Sequence, residues 1–336
     1  MNLESARELK QLLADTVLSP ITGAPLKTVR SFALAAGPMP ESASNIRSLA
    51  LGIVRRSANN FRLAVRAQRR ELVDGKEVEL IRKKAKDEVD VRYIGRVTKR
   101  AAVPWTQQRH RPLQLGISVG HKDITAGTIG CFVRKPGTVG AFVLSNNHVL
   151  GNENKGKVGD AVLQAGKYDG GKEPADAIGT FAGRVKFKKS GVNLVDVAIA
   201  HLKSGIEYDP RTIRGLGKLA GLGPEFVDEG TEVAKLGRTT GLTRGKVTAF
   251  ELDNVVVGFD LGDLRFDNQI EIEGAGDDPF SAGGDSGSLI VDAGTRQAIA
   301  LLFAGSELGG SNDRGLTYAN PIHTVLAQMK VELLLE

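Results

Sequence analysis

Glycine spacing constrains the fold of this chain more than any other feature. Of its 336 residues 41 are glycine, and beyond residue 115 they recur between short β-rich runs. These runs are TIGCFV (128–133), AFVLS (141–145), VDVAIAHL (195–202), GKVTAF (245–250), NVVVGF (254–259), QIEIE (269–273), GSLIV (287–291) and AIALLFA (298–304). Many short strands with glycine-rich turns, and few helical patterns among them, predict an all-β sandwich or barrel. One exception closes the chain. In PIHTVLAQMKVELLLE, apolar residues repeat at helical spacing (Ile322, Val325, Leu326, Met329) behind Pro321, which a first helical turn tolerates.

The first 112 residues read differently. Residues 2–18 predict a helix stopped by Pro20, and residues 37–44, with Pro38 and Pro40, read as a linker. LALGIV (49–54) and FRLAVRAQ (61–68) predict strands, EVELIRKKAK (77–86) a helix, and VDVRYIGRV (89–97) a strand. Residues 100–112 form a polar, proline-bearing connection. The expected division is therefore a helix and linker (1–40), a small basic α+β unit (41–112) and a β unit (113–336).

Charge divides the chain at the same place. Residues 1–112 hold 22 Lys+Arg against 11 Asp+Glu, whereas residues 113–336 hold 23 against 28. A balance of +11 beside one of −5 points to two modules with different surroundings. The basic run RKKAK (82–86) lies on a predicted helix, where a solvated face is the ordinary explanation, so nucleic acid is not an expected partner. Hydrophobic residues make up 41% and charged residues 25%, which excludes disorder as a whole-chain description. No apolar run is long enough to cross a membrane. A lone Cys131 excludes a disulfide framework and a cysteine-based zinc cluster. The start, MNLESARELKQLLAD, lacks the pattern of a secretory signal, so a cytoplasmic location is expected.

Within the β unit, GGDSGSL (283–289) sets Ser286 between glycines in a strand-flanked turn. A nucleophilic serine needs an exposed hydroxyl and nearby backbone N–H groups for a developing oxyanion, and glycine permits the backbone path that aims them. A polar turn without chemistry gives the same string. The hydroxyl also needs a general base, usually histidine, held in one tautomer by a carboxylate. His148 follows a β run in FVLSNNHVL, at a rim that can face a cleft. Asp196 lies at the mouth of an apolar strand, where an ionised carboxylate needs a partner. A strand-start cap is the plain alternative for Asp196. The remaining histidines, at 110, 121, 201 and 323, read as structural or solvated. No pair has metal-ligand spacing, and neither a metal nor a cofactor is expected.

SNNHV, DVAIA and GDSGS resemble, in this order, the histidine, aspartate and serine motifs of the trypsin-like serine proteases. LGRTTGLTRGKV (236–247) is similar to a segment of the family's bacterial members, and GLTYANPI (315–322) resembles its last strand and the start of its terminal helix. The likeness covers about two-thirds of the chain, from residue 115 onward. It is to bacterial members without disulfides, the intracellular branch, and more distantly to the narrow-leaf-type trypsin-like protease of plants. Two departures stand out. The disulfides of many secreted members are absent, and His148 precedes Val149 rather than cysteine.

The resemblance implies a mainly β fold: two antiparallel, chymotrypsin-like β-barrels with a C-terminal helix, preceded here by the small α+β unit. It implies a serine endopeptidase acting on protein or peptide substrates, with Ser286 as nucleophile, His148 as general base and Asp196 as its orienter. The N–H groups of Gly284 and Ser286 would form the oxyanion hole, and Arg238 would pair with Asp285. Phe303, Ala304 and Gly305 would receive substrate backbone as an added strand. Phe280, six residues before Ser286, falls at the expected base of the side-chain pocket and argues against a basic residue there. One loop insertion would instead bring in Asp277 or Asp278 and favour Arg or Lys. Two alternatives remain open: a catalytically silent binding or scaffold protein that kept the barrels, and a protease gated by residues 1–112 through oligomerisation, a regulatory partner or cover over the cleft.

Overall fold

The computed structural model describes residues 1–18, 49–95, 103–276 and 278–336. The expected linker, Pro20, the end of the strand expected at 89–97 and Asp277 lie outside these residues. The chain divides into two compact units, Met1–Ala101 and Ala102–Glu336.

In the first unit, α1 (Leu3–Leu13) starts at Asn2, whose side chain accepts from Ser5 N at 2.8 Å. Such a cap satisfies one of the amides that a helix start leaves without a partner. A three-stranded sheet follows, in the order β1 (Leu49–Ser57), β2 (Asn60–Ala67), β3 (Val89–Tyr93). β1 and β2 form an antiparallel hairpin, while β3 lies parallel to β2 after a crossover through α2 (Lys76–Lys84). Alternation along β2 turns Leu63, Val65 and Ala67 into a core with Leu13, Val78 and Ile81 of the helices. Arg82, Lys83 and Lys84 fall in the last turn of α2, where cations offset the helix dipole.

The second unit holds two barrels. The first uses β4 (Ser118–His121), β5 (Gly127–Thr128), β6 (Cys131–Arg134), β7 (Phe142–Ser145), β8 (Ala161–Leu163), β9 (Ala177–Arg184) and β10 (Ala198–Leu202). A one-turn helix, α3 (Asn147–Leu150), follows β7. The sheet runs β6-β7-β10-β9-β8-β4-β5, so its ends are successive pieces of one stretch. Ile129 N donates to Ile117 O at 2.9 Å and Gly130 N to Leu144 O at 3.0 Å, which ties those ends together.

A connection carrying the small pair β11 (Thr212–Ile213) and β12 (Gly217–Lys218), then β13 (Gly221–Leu222), leads to the second barrel. That barrel is built from β14 (Glu232–Gly237), β15 (Gly241–Leu252), β18 (Gln269–Gly274), β19 (Leu289–Asp292), β20 (Gln297–Gly305) and β21 (Leu316–Pro321). The ladder from β21 back to β20 closes it. A hairpin of β16 (Val255–Phe259) and β17 (Gly262–Phe266) leaves the barrel between β15 and β18. α4 (Ile322–Met329) begins behind Pro321 as expected, and β22 (Glu332–Leu333) then adds to β6 of the first barrel.

The first barrel's core, which includes Phe132, Val143, Phe181 and Ile199, also takes in Leu236, Leu289 and Leu301 from the second. Burying a side chain of this size contributes about 1.5–3 kcal/mol, so this seam holds the barrels face to face. Residues 103–112, expected to form a connection, pack within this unit, where Thr106 Oγ1 donates to Arg238 O at 2.8 Å. Among the described residues no helix is long and apolar enough to cross a membrane.

Candidate active site

His148 sits in α3, whose first N–H groups point at Asp196 just before β10. Asn147 N and His148 N donate to Asp196 Oδ1 at 2.6 and 3.3 Å, and His148 Nδ1 meets Oδ2 at 2.5 Å. A carboxylate only accepts, so the imidazole proton resides on Nδ1 and the neutral ring keeps its lone pair on Nε2. Asp196 is fully buried and His148 is 22% exposed. Burial pushes the His148 pKa down, but the charge and hydrogen bond of Asp196, helped by Glu153, outweigh it and raise the value above 6.5. The carboxylate therefore serves the histidine and the helix start, not its own strand.

The second barrel reaches across the seam to hold this pair. Asp196 N donates to Asn320 Oδ1 at 2.9 Å, and Asn320 Nδ2 donates to Gln269 Oε1 at 2.6 Å. Asn146 Nδ2 donates to Asp196 O at 2.7 Å. The Phe259 ring, near the tip of the β16–β17 hairpin, stands 6.0 Å from the His148 ring.

Ser286 is partly exposed, in the turn between β18 and β19. Thr128 N donates to Ser286 O at 2.8 Å, which lays the turn against β5. A Cβ on Gly127 would lie 3.0 Å from Ser286 O and 2.8 Å from Val149 Cγ1. Only glycine lets the serine turn and α3 approach from either side of that residue. The Ser286 turn and α3, which carries His148, thus both close on Gly127. Among the described residues, the only ring hydrogen bond of His148 is the one to Asp196. Bonds between a nucleophile and its base commonly tighten only with substrate present. Gly284 holds φ +97°, a region that L side chains rarely adopt.

The expected pair between Arg238 and Asp285 does not form. Asp285 is fully buried and accepts from Thr239 N (2.7 Å), Ala282 N (3.0 Å) and Thr240 Oγ1 (2.7 Å). Its cation is Lys235, also fully buried, with Nζ 3.2 Å from Oδ2. Burial lowers the Lys235 pKa and Asp285 opposes that fall. Arg238 follows the end of β14 and faces the first barrel, where Nε and Nη2 engage both oxygens of Asp169 at 2.7 and 2.6 Å. That bond raises the arginine's pKa. The physical reason is strand position: Lys235 points into the barrel beneath Asp285, and Arg238 lies past the strand.

A cavity of about 400 Å³ opens beside Ser286. Ser281, Ala282, Ala304 and Gly305 line it, with exposed Glu307 and Arg314. Phe303, expected beside Ala304 and Gly305 to receive substrate backbone, does not line the cavity, because strand alternation turns its side chain the other way. It is 3% exposed and packs on Phe266 at 4.8 Å between ring centres. Phe280 is also corrected. Its ring is buried in the second barrel's core, while its neighbours Pro279 and Ser281 line the cavity. Asp278 is exposed and outside that lining.

The other histidines each have a local partner: His110 meets Trp105 O, His121 meets Asp160, His201 meets Val139 O and His323 meets Gly223 O. Burial pushes the Cys131 thiol pKa up to about 12. Among the described residues no group of His, Cys, Asp and Glu is arranged to hold a metal ion.

Lys235, Asn320 and Gln269 were missed by the sequence reading. Their signal was available. Lys235 is a charge inside the otherwise apolar strand VAKLG, and Asn320 and Gln269 are amides on strands that turn into the seam.

No family model and no curated protein matches the chain. Solved structures do. A chymotrypsin of Cellulomonas bogoriensis shares 20% identity over 68% of this chain and all of its own, with a TM-score of 0.45. Protease A of Thermobifida fusca shares 19% over 67% of this chain and 99% of its own, at 0.47. A serine protease described as specific for glutamic acid shares 19% over 66% of this chain and all of its own, also at 0.47.

Proposed function

We propose that this chain is a serine endopeptidase of the trypsin-like type, cleaving peptide bonds through an acyl-enzyme. The observation that carries the reading is the 2.5 Å bond from His148 Nδ1 to buried Asp196; Val149, next to His148, and the Ser286 turn both close on Gly127. His148 Nε2 takes the proton of Ser286 Oγ as that oxygen attacks the peptide carbonyl, then returns it to the leaving amine. Asp196 keeps the ring in the required tautomer and stabilises its cationic form. The N–H groups of Gly284 and Ser286 receive the oxyanion, each worth about 3–4 kcal/mol on the precedent of other enzymes. Substrate backbone lies along Ala304 and Gly305, with one side chain in the neighbouring cavity.

The basic first unit acts as a separate module that regulates or recruits, and a reducing compartment suits an enzyme whose one cysteine is free and buried. Incubating the full chain with an unfolded protein, and reading the fragments by mass spectrometry, tests the activity. Internal cleavage that disappears in Ser286→Ala is the expected result. A folded chain that leaves the protein intact overturns the reading.

A further inference from the structure

The Gly283–Gly284 peptide is built so that it could flip, and one hydroxyl opposes this. A Cβ on Gly283 would meet nothing within 4 Å, and Gly284 holds φ +97°. A peptide between two glycines rotates with little steric penalty. Its carbonyl, Gly283 O, accepts from Thr239 Oγ1 at 2.7 Å. In a trans peptide the N–H points opposite to the C=O, so this bond turns the Gly284 N–H away from Thr239. The next carbonyl, Gly284 O, accepts from Thr128 Oγ1 at 3.0 Å. The Thr239 hydroxyl is itself aimed, since it accepts from Arg238 Nη1 at 3.1 Å. The guanidinium of Arg238 is fixed by Asp169 of the first barrel, which also accepts from Ser118 Oγ at 2.5 Å.

We propose that Thr239 is a positioning residue for peptide hydrolysis, whose hydroxyl holds the Gly283–Gly284 peptide with its N–H turned toward the reacting carbonyl. The inference rests on the protease reading above. It adds that the oxyanion donor is kept in place by a bond outside the triad, one steadied by the Arg238–Asp169 bridge between the barrels. Flipped, the same peptide would present Gly283 O, an acceptor, to the developing negative charge. The populated fraction of the competent peptide then scales the turnover.

The full chain and its Thr239→Val and Thr239→Ser variants are compared on a peptide amide substrate. Fluorophosphonate labelling counts the active sites in each sample. Thr239 is exposed, so valine is accommodated; Thr239→Ala replaces it should that variant be unstable. Loss of one neutral hydrogen bond supports a roughly tenfold fall in kcat for Thr239→Val, with KM changed less than about threefold. Thr239→Ser keeps the hydroxyl and stays within about twofold of wild type. The affinity of a peptide aldehyde, whose tetrahedral adduct uses the same donor, falls in step with kcat/KM. Wild-type turnover in Thr239→Val, or a serine variant as slow as the valine one, overturns the inference and leaves the protease reading standing. A folded wild-type chain that neither labels nor cleaves removes both.

Discussion

Two fully buried aspartates belong to the candidate site, and they are held in opposite ways. Asp196 faces His148, a group that is 22% exposed and must gain and lose a proton. Asp285 faces Lys235, which is fully buried beside it, along with the amides of Thr239 and Ala282. The first pair reaches solvent through His148 and is suited to proton transfer. The second is closed on every side and suited to holding Ser286 and its neighbours in one shape. A buried charge needs a partner in either case; what differs is whether that partner can reach substrate.

Substitutions break the comparison at different levels. Ser286→Ala removes the proposed nucleophile, and kcat should fall by about a millionfold on the precedent of another serine protease. Asp196→Asn leaves His148 without its orienter and should lower kcat by about ten-thousandfold with the fold intact, as circular dichroism would verify. Lys235→Met leaves Asp285 buried without its cation. Denaturant titration should show a loss of about 3–5 kcal/mol of stability, larger than for methionine at any exposed lysine. Phe280→Ala should cost about 3–5 kcal/mol by opening a hole in the second barrel, with the cleavage preference of whatever enzyme folds left unchanged. A changed preference there would restore Phe280 to the pocket.

The smallest effect is in pH. The raised His148 pKa means that kcat/KM should climb with a midpoint above the ordinary histidine value of 6.5, because the neutral ring is the active base. Stability runs the other way. A histidine whose folded pKa is raised contributes fully below its unfolded value, and loses that contribution as pH rises through the folded value. In Asp196→Asn burial is opposed only by the charge of Glu153, so imidazole NMR should find the His148 midpoint moved down from its wild-type value.

The three proposed triad positions stand out in the sequence because each is a local anomaly: a serine between glycines, a histidine after a strand, a carboxylate in an apolar run. The cation under Asp285 was not. Lys235 and Arg238 stand three residues apart, and which one turns inward depends on where β14 ends and how it pairs with β15 and β19. That register is a tertiary fact. The same holds for Phe280 and Phe303, whose direction follows from an irregular turn and from strand alternation that the serine motif does not fix. The runs at 245–250, 269–273, 287–291 and 298–304 fall on β15, β18, β19 and β20 of the second barrel, whereas β8 of the first, only three residues long, gives no run of its own. In the first unit, periodicity was enough to place α1, α2 and the hairpin.

The central question is whether the His148–Asp196 pair activates Ser286. Treating the full chain with a fluorophosphonate and mapping the adduct by mass spectrometry measures this. A single adduct on Ser286, lost when His148 is replaced by alanine, is the result expected. A folded chain that takes no label, carries it on another residue, or labels equally fast without His148 would contradict it.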